Sequence, residues 1–225
     1  MHVALILVPT PIGNLRDITL RALDVLRDAA VIAAEDTRVI RRVLSAHGIS
    51  GKRLVSYREQ NASRVTAGLL AQARHGDVVL VSDAGTPGIS DPGRELIVAA
   101  REAGITVEVL PGPVAFVVAA VLSGFALEGL CFGGFLPRTR SKREAALRVA
   151  LEGRGPTAFY ESPHRLVATL QSLAAIAPET SIFVARELTK RFEQQIAGTA
   201  SELLAELEQP VRGEIVLVVP PAKPH

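Results

Sequence analysis

The stretch LVSDAGTPGISDPGREL, Leu80–Leu96, decides how this chain is read. It opens on the last apolar residues of a strand and closes on the first residues of a helix. Between them Gly85, Pro87, Gly88, Pro92 and Gly93 crowd into one loop. A simple turn needs one Gly or one Pro-Gly pair. A loop so poor in β-carbons lets main-chain groups come close to a ligand, since glycine presents no side chain. An elaborate turn is the plainer alternative. Asp83 follows the strand directly, and Asp91 or Gly93 is expected to start the next helix.

Outward from this loop, strand and helix patterns alternate. VALILV (3–8) and DVVLVS (77–82) are continuous apolar runs, as expected of strands covered on both faces. VIAA (31–34), RLVSY (53–57) and ITVEVL (105–110) read as further strands. TLRALDVLRDAA (19–30), TRVIRRVLSAHG (37–48), SRVTAGLLAQARHG (63–76) and RELIVAAREAG (94–104) read as helices. Thr19 is a candidate N-cap, and Gly48 and Gly76 are helix stops. The alternation predicts an α/β fold with a mostly parallel N-terminal sheet. At PGPVA (111–115) the pattern turns sharply. Beyond it, connections lengthen through CFGGFLPR (131–138), GPTAFYESPHR (155–165), TSIFVAREL (180–188) and EIVLVVP (214–220), which predicts a mixed C-terminal sheet. A boundary near Gly112 gives two α/β domains, 1–112 and 113–225, with a cleft expected between them. The final PPAKPH (220–225) is expected to fray.

Composition narrows the function classes. At 225 residues and 48% apolar, the chain can bury a substantial core. Its 25 Lys and Arg nearly balance 23 Asp and Glu, so total charge neither demands nor forbids an anionic partner. Cys131 has no second cysteine to pair with, and a cytoplasmic location is expected. MHVALILVPTP lacks a basic start and reads as a first strand, not a signal peptide. The span Val109–Leu127 is free of charge, but Pro111, Pro113 and Gly124 interrupt it, so no membrane contact is expected. His2, His47, His75, His164 and His225 are scattered without ligand spacing, and no metal site is expected.

Candidate chemistry collects at strand ends, where α/β sheets bind ligands. The loop PTPIGNLRDIT (9–19) carries neither a dinucleotide fingerprint nor a P-loop, which speaks against a nicotinamide enzyme. AAEDTR (33–38) sets Glu35, Asp36 and Arg38 at the end of the second strand; Asp36 could cap the next helix or meet a ligand. YESPHR (160–165) and ARELTKR (185–191) end strands with Glu161, His164, Arg165, Arg186, Glu187 and Lys190. Arg138, Arg140, Lys142 and Arg143 form a basic segment that could contact a phosphate backbone or be a solvated loop and helix start. No aromatic residue interleaves them, so base stacking is not expected there.

Taken in order, LVPTPIGNLRDIT, IAAEDTR, LVSDAGTPGISDPG, LPGPVA, GFLPR, FYESPHR and ARELTKRFE resemble the ribosomal-RNA-modifying branch of the tetrapyrrole methylase superfamily, over nearly the whole chain. The resemblance implies a two-domain tetrapyrrole-methylase-like fold, S-adenosylmethionine as cofactor in the cleft, and a homodimer. It implies methylation of the 2′-oxygen of a cytidine in small-subunit (16S) ribosomal RNA, met as bare RNA or as the assembled small subunit. By motif it sets the cofactor against Pro9, Asp83, Ala84, Gly85, Gly88, Val114, Ala115, Glu161 and Leu188. PTPIGN stands where porphyrin enzymes carry a glycine-rich first loop, which argues against a corrinoid or porphyrin substrate.

A ribose hydroxyl is a weak nucleophile, and a positioned base typically contributes about 10²–10⁴-fold. Asp36, Glu161, Glu187 and, if its pKa is depressed, Lys190 are the candidates, and the sequence does not rank them. Arg38, Arg165, Arg186 and Lys190 could hold phosphates near the acceptor, since Arg forks match phosphate oxygens. Two other readings stay open: methylation of a small tetrapyrrole or a protein side chain, and a non-catalytic RNA-binding assembly factor.

Overall fold

The computed structural model describes residues 4–207 and 210–222. His2 and Val3 at the start, and 223–225 of the tail expected to fray, lie outside them. The chain divides into two compact units, Met1–Val114 and Ala115–His225.

In the first unit, β1 (Ala4–Leu7), β2 (Val31–Ala34), β3 (Leu54–Ser56), β4 (Val78–Val81) and β5 (Thr106–Val109) form one sheet in the order β3-β2-β4-β1-β5. Every pairing in it is parallel. Strands β1, β2 and β4 are buried at every position, which is why their sequences are unbroken apolar runs. Successive side chains point to opposite faces. Ile6, Ile32 and Val79 pack with Leu26 of α1 (Leu20–Asp28) and Ile40 and Leu44 of α2 (Thr37–Ala46). Leu5, Leu7 and Leu80 pack with Leu69 of α3 (Ala62–Gln72) and Leu96 and Ala100 of α4 (Arg94–Glu102). Thr19 caps α1, its hydroxyl accepting from Ala22 N at 3.1 Å.

Strand order explains the two helix layers. From β1 through β2 to β3 the chain moves one way across the sheet; from β3 to β4 and on to β5 it moves back. Right-handed crossovers therefore put α1 and α2 on one face and α3 and α4 on the other. Strand β4 lies between β1 and β2, and both of those send their next helix to the face opposite α4. Crevices open at the carboxyl ends of strands at such switch points. Strand β4 borders one on each side.

The second unit holds β6 (Cys131–Phe135), β7 (Thr157–Glu161), β8 (Ser181–Arg186), β9 (Gln194–Thr199) and β10 (Ile215–Val219) in the order β6-β7-β10-β8-β9. The β6–β7 pair is parallel and the other three are antiparallel, so this sheet is mixed. One face packs Phe159, Ile182, Val184 and Leu217 against Leu147 of α6 (Arg140–Leu151), Leu170 of α7 (Leu166–Ile176) and Leu203 of α8 (Ala200–Glu206). On the other face Tyr160 meets Phe132 edge-on, and Phe132 stacks on Phe116 of α5 (Ala115–Leu122) at 4.3 Å. With eight residues, α5 is about 12 Å long, against the roughly 30 Å of a bilayer core. Among the described residues no helix is long and apolar enough to cross a membrane.

Candidate functional site

The loops leaving β1, β4 and β5 are stitched together at the carboxyl end of the first sheet. Thr10 and Gly85 exchange both main-chain hydrogen bonds at 2.9 Å. The Thr10 hydroxyl donates to Ser82 O at 3.1 Å, and the Thr86 hydroxyl donates to Pro113 O at 3.0 Å. Gly85 holds a φ of +78°, and a β-carbon on it would lie 3.4 Å from both Ile12 Cγ2 and Pro113 O. A β-carbon on Gly112 would fall 2.4 Å from Pro9 Cβ. The space left by these two glycines is thus filled by neighbouring loops. Gly85 serves loop pairing through its left-handed backbone, which corrects the expectation that it clears room for a ligand. Gly88 fits that expectation better: it is exposed, and the nearest atom to a β-carbon there is Ile97 Cδ1 at 4.0 Å. The result is a fixed rim of small, uncharged residues, Pro9, Ala84, Gly85 and Gly88, with Val114 one residue beyond Pro113.

On the other side of β4 the loop lines a cavity of about 720 Å³ whose wall includes Glu35, Asp36, Arg58, Asp83, Ser90 and Asp91. Each wall follows a strand: Glu35 and Asp36 come after β2, Arg58 after β3, and Asp83 and Asp91 after β4. Asp83 Oδ1 accepts from Asp36 N at 2.8 Å and ties the β4 loop to the β2 loop. Arg58 Nε donates to Glu35 O at 2.9 Å and ties in the β3 end. Burial, then the nearby Glu35 carboxylate, pushes the Asp91 carboxyl up to about 6, against a smaller opposing effect of the Ser82 hydroxyl. Burial and then Asp83 also raise Glu35, with Arg58 opposing. Asp36 goes the other way. It caps α2, accepting from Arg38 N at 2.8 Å, and Arg38 Nη2 pairs with its carboxylate at 2.5 Å. The hydrogen bonds from the Arg38 side chain and main chain hold Asp36 well below the usual carboxylate range. A carboxylate held so acidic is a poor proton acceptor, so Asp36 leaves the list of bases.

The second unit withdraws the other candidate bases. Glu161 ends β7 with its side chain fully buried, paired with Arg165 Nη2 at 2.5 Å. Its carboxylate also accepts from the Thr169 hydroxyl at 2.6 Å and Ser162 N at 2.7 Å. That carboxylate anchors α7 to β7 and is closed off from solvent, which places it badly to take a substrate proton. We expect Glu161→Ala to destabilise the fold by about 3–5 kcal/mol, because Arg165 loses its buried partner; urea unfolding measures this. Lys190 Nζ donates to Glu187 Oε1 and Glu214 Oε2, both at 2.8 Å. Burial alone would lower Lys190, but these two carboxylates outweigh it and the pKa is raised. The condition on which Lys190 was a candidate base, a depressed pKa, is therefore not met. Burial alone would raise Glu187, but Lys190 and Glu214 N outweigh it and lower its pKa, which weakens it as a proton acceptor.

The basic residues also sort. The segment is a loop end and helix start, as expected: Arg138 precedes α6, Arg140 and Lys142 lie in its first turn, and all three are exposed. Arg143 is buried and donates to Ser172 Oγ and Ala168 O at 3.3 Å, so it braces α6 on α7 and leaves the phosphate-binding set. Arg165 donates to Leu136 O at 2.9 Å besides pairing with Glu161, which makes it a brace as well. Arg186 uses Nε on Gln194 Oε1 at 2.8 Å and Nη1 on Arg212 O at 2.9 Å. Ala115 opens α5, and Leu188 is buried in the loop after β8. Among the described residues no group of three His, Cys, Asp or Glu could hold a metal ion.

Two residues of the cavity carry more than the sequence suggested. Of the two expected helix starts, Asp91 and Gly93, it is Gly93 that caps α4, and Asp91 lines the cavity. Arg58 directly follows RLVSY, and the strand-end rule that singled out Asp36 and Asp83 would have found it too.

Known proteins resemble this chain along almost its whole length. Residues 4–204 match the family described as Tetrapyrrole (Corrin/Porphyrin) Methylases. A "Ribosomal RNA small subunit methyltransferase I" of Hydrogenobaculum sp. (strain Y04AAS1) is 44% identical over 218 residues, covering 96% of this chain and 94% of that protein. The protein of the same name from Micromonospora olivasterospora is 46% identical over 218 residues, covering 96% of this chain and 69% of its own. Among solved structures, uroporphyrin-III-C-methyltransferase from Thermus thermophilus superposes with a TM-score of 0.68 at 24% identity, covering 96% of this chain and 94% of that one.

Proposed function

The chain belongs to the tetrapyrrole (corrin/porphyrin) methylase family, and on that premise we propose that it methylates small-subunit ribosomal RNA, at the 2′-oxygen of a cytidine, with S-adenosylmethionine as donor. The names of its relatives at 44–46% identity support the RNA substrate. The first-loop sequence PTPIGN supports it against a porphyrin. One structural observation carries the mechanism: a single loop serves both sides of β4. Its first part, Ala84–Gly88, is bonded to the β1 loop, and its second part, Ser90 and Asp91, lines the acidic cavity. Methyl transfer needs donor and acceptor held side by side, and proximity and orientation are worth up to about 7–11 kcal/mol of barrier.

The rim fits a donor held through main-chain atoms, because its residues are small and uncharged and its loops are fixed to one another. Pro9, Ala84, Gly85, Gly88 and Val114 would hold it, with Asp83 behind them. When bound, S-adenosylmethionine supplies a methyl group activated by a positively charged sulfur. The cavity then holds the acceptor ribose, and Asp91 takes the proton of its hydroxyl. Glu35 raises the basicity of Asp91 by adding negative charge beside it. Arg58 on the cavity wall and Arg38, which pairs with the wall residue Asp36, neutralise phosphates of the acceptor strand, and the exposed Arg138, Arg140 and Lys142 of the second unit meet the RNA backbone. The family resemblance supports a homodimer as the working form.

The test is direct. The purified protein is incubated with methyl-labelled donor and either small ribosomal subunits, bare small-subunit rRNA, or a precorrin-type substrate. Mass spectrometry of the RNA is expected to find one new methyl group on the ribose of a cytidine. Label in the tetrapyrrole alone, or in no substrate, would refute the assignment.

A further inference from the structure

The loop between β8 and β9 carries an exposed aromatic ring among arginines. Phe192 is 68% exposed, in a chain with seven Phe, two Tyr and no Trp. The Arg191 guanidinium carbon lies 5.4 Å from the centre of its ring. Beside them opens a cavity of about 490 Å³ bordered by Arg186, Arg191, Phe192, Glu193 and Arg212. That volume is within the range of small-ligand pockets, roughly 300–1,000 Å³.

The loop is fixed in shape. Glu187 and Thr189 hold left-handed backbones, with φ of 54° and 63°. Lys190 bridges Glu187 and Glu214, each at 2.8 Å, and Glu187 Oε1 also accepts from Glu214 N at 2.9 Å. Lys190 thus offsets one of the two acidic charges behind the patch. The Glu193 carboxylate is engaged by Thr189 N and the Gln195 amide, both at 2.6 Å. Arg186 is oriented by Gln194 and Arg212 O. Arg191 lies beside the ring, Arg186 and Arg212 border the same cavity, and the bonds that hold Arg186 and the loop reduce the conformational freedom lost on binding.

We propose that this loop is a docking site for unpaired RNA: Phe192 stacks an exposed base, and Arg186, Arg191 and Arg212 hold the flanking phosphates. Single-stranded nucleic acid is bound by this combination, a π-face for the base and cationic forks for the backbone. The basic segment at Arg138–Lys142 has charge but no ring, so it tracks phosphates without stacking. The inference rests on the RNA substrate proposed above and adds a second contact point on the second unit. A second copy of this chain covering Phe192 is the competing explanation.

The experiment compares wild type with Phe192→Ala, Phe192→Trp and Arg212→Gln. It measures KM for small ribosomal subunits, affinity for transcribed small-subunit rRNA at several salt concentrations, donor binding by calorimetry, and mass by sedimentation velocity. Phe192→Ala is expected to weaken RNA binding about 5- to 150-fold, the worth of one stacked base, with donor affinity and sedimentation unchanged. Phe192→Trp restores binding, which a merely structural role for the ring would not require. Arg212→Gln makes the salt dependence shallower by about 0.7 in log–log slope. Wild type that methylates RNA while Phe192→Ala binds it equally well overturns the docking site alone. A shift of Phe192→Ala from dimer to monomer with unchanged RNA affinity per chain does the same and assigns the ring to a subunit contact. Failure of wild type to bind or methylate RNA at all refutes the functional reading itself.

Discussion

Asp91→Asn lowers turnover about 10²–10⁴-fold, the usual contribution of a positioned base, while making the protein more stable above neutral pH. Both effects come from one carboxyl. Burial and the neighbouring Glu35 and Asp83 carboxylates push it from 3.8 to about 6, and Ser82 opposes them only in part. Around it Asp36 is paired with Arg38, and Arg58 is tied to the Glu35 main chain, so neither cation is placed to relieve it fully. The sign of the stability effect follows. Below the unfolded value of 3.8 both states carry the proton, and Asn gains nothing. Between 3.8 and about 6 the unfolded chain releases its proton first, so the native state is progressively penalised. Asn removes that penalty, and its advantage grows through this window and then levels off. Thermal melts at several pH values measure it. In wild type, turnover should fall as pH drops below about 6, and Glu35→Gln should move that limb to lower pH, because Glu35 raises Asp91. Retained turnover in Asp91→Asn, or an acid limb unmoved by Glu35→Gln, would remove Asp91 from the mechanism.

Gly112→Ala should cost about 1–3 kcal/mol of stability, the usual range for overpacking, and weaken donor binding at least about tenfold, equivalent to 1.4 kcal/mol. The added methyl would lie 2.4 Å from Pro9 Cβ and 2.7 Å from its Cγ. Neither side yields easily. Leu110 N is bonded to Leu7 O, and Pro113 O accepts from Thr86, so the β5 exit is fixed before and after Gly112. Pro9 is followed by Thr10, which is locked to Gly85. The loops must part, and the rim assigned to the donor parts with them. Gly85→Ala is the control: its contacts are looser, at 3.4 Å, and it acts through the φ of +78°, at about 1–2 kcal/mol. Calorimetry with S-adenosylmethionine and thermal melts on both variants measure the difference. Unchanged donor affinity in a folded Gly112→Ala protein would place the donor elsewhere.

Much of the first unit is legible residue by residue. VALILV and DVVLVS are apolar without a break because β1 and β4 are covered on both faces. Thr19 and Gly93 mark helix starts through local chemistry of the kind a sequence displays. The strand-end rule brought Glu35, Asp36 and Asp83 to notice, and they do line one cavity. The roles of charged side chains were less legible. Asp36, Glu161, Glu187 and Lys190 were equal candidates for the base in the sequence. Each has its own partner in the fold: Arg38, Thr169 with Arg165, and the Glu187–Lys190–Glu214 group. Arg143 looks like its exposed neighbours in the chain but points inward to Ser172 and Ala168. Asp91 was one of two candidate helix starts, and the fold gives that place to Gly93 and leaves Asp91 on the cavity wall.

The sequence by itself determined the alternation of strands and helices, the parallel first sheet and the glycine-rich loop after β4. These rest on periodicities of 2 and 3.6 residues and on turn chemistry, which act between near neighbours in the chain. Only the tertiary structure decided which carboxylates share a cavity, which cations neutralise them and why Gly112 must be glycine. Those properties depend on distances of a few ångströms between segments tens of residues apart, and strand order and packing alone set such distances.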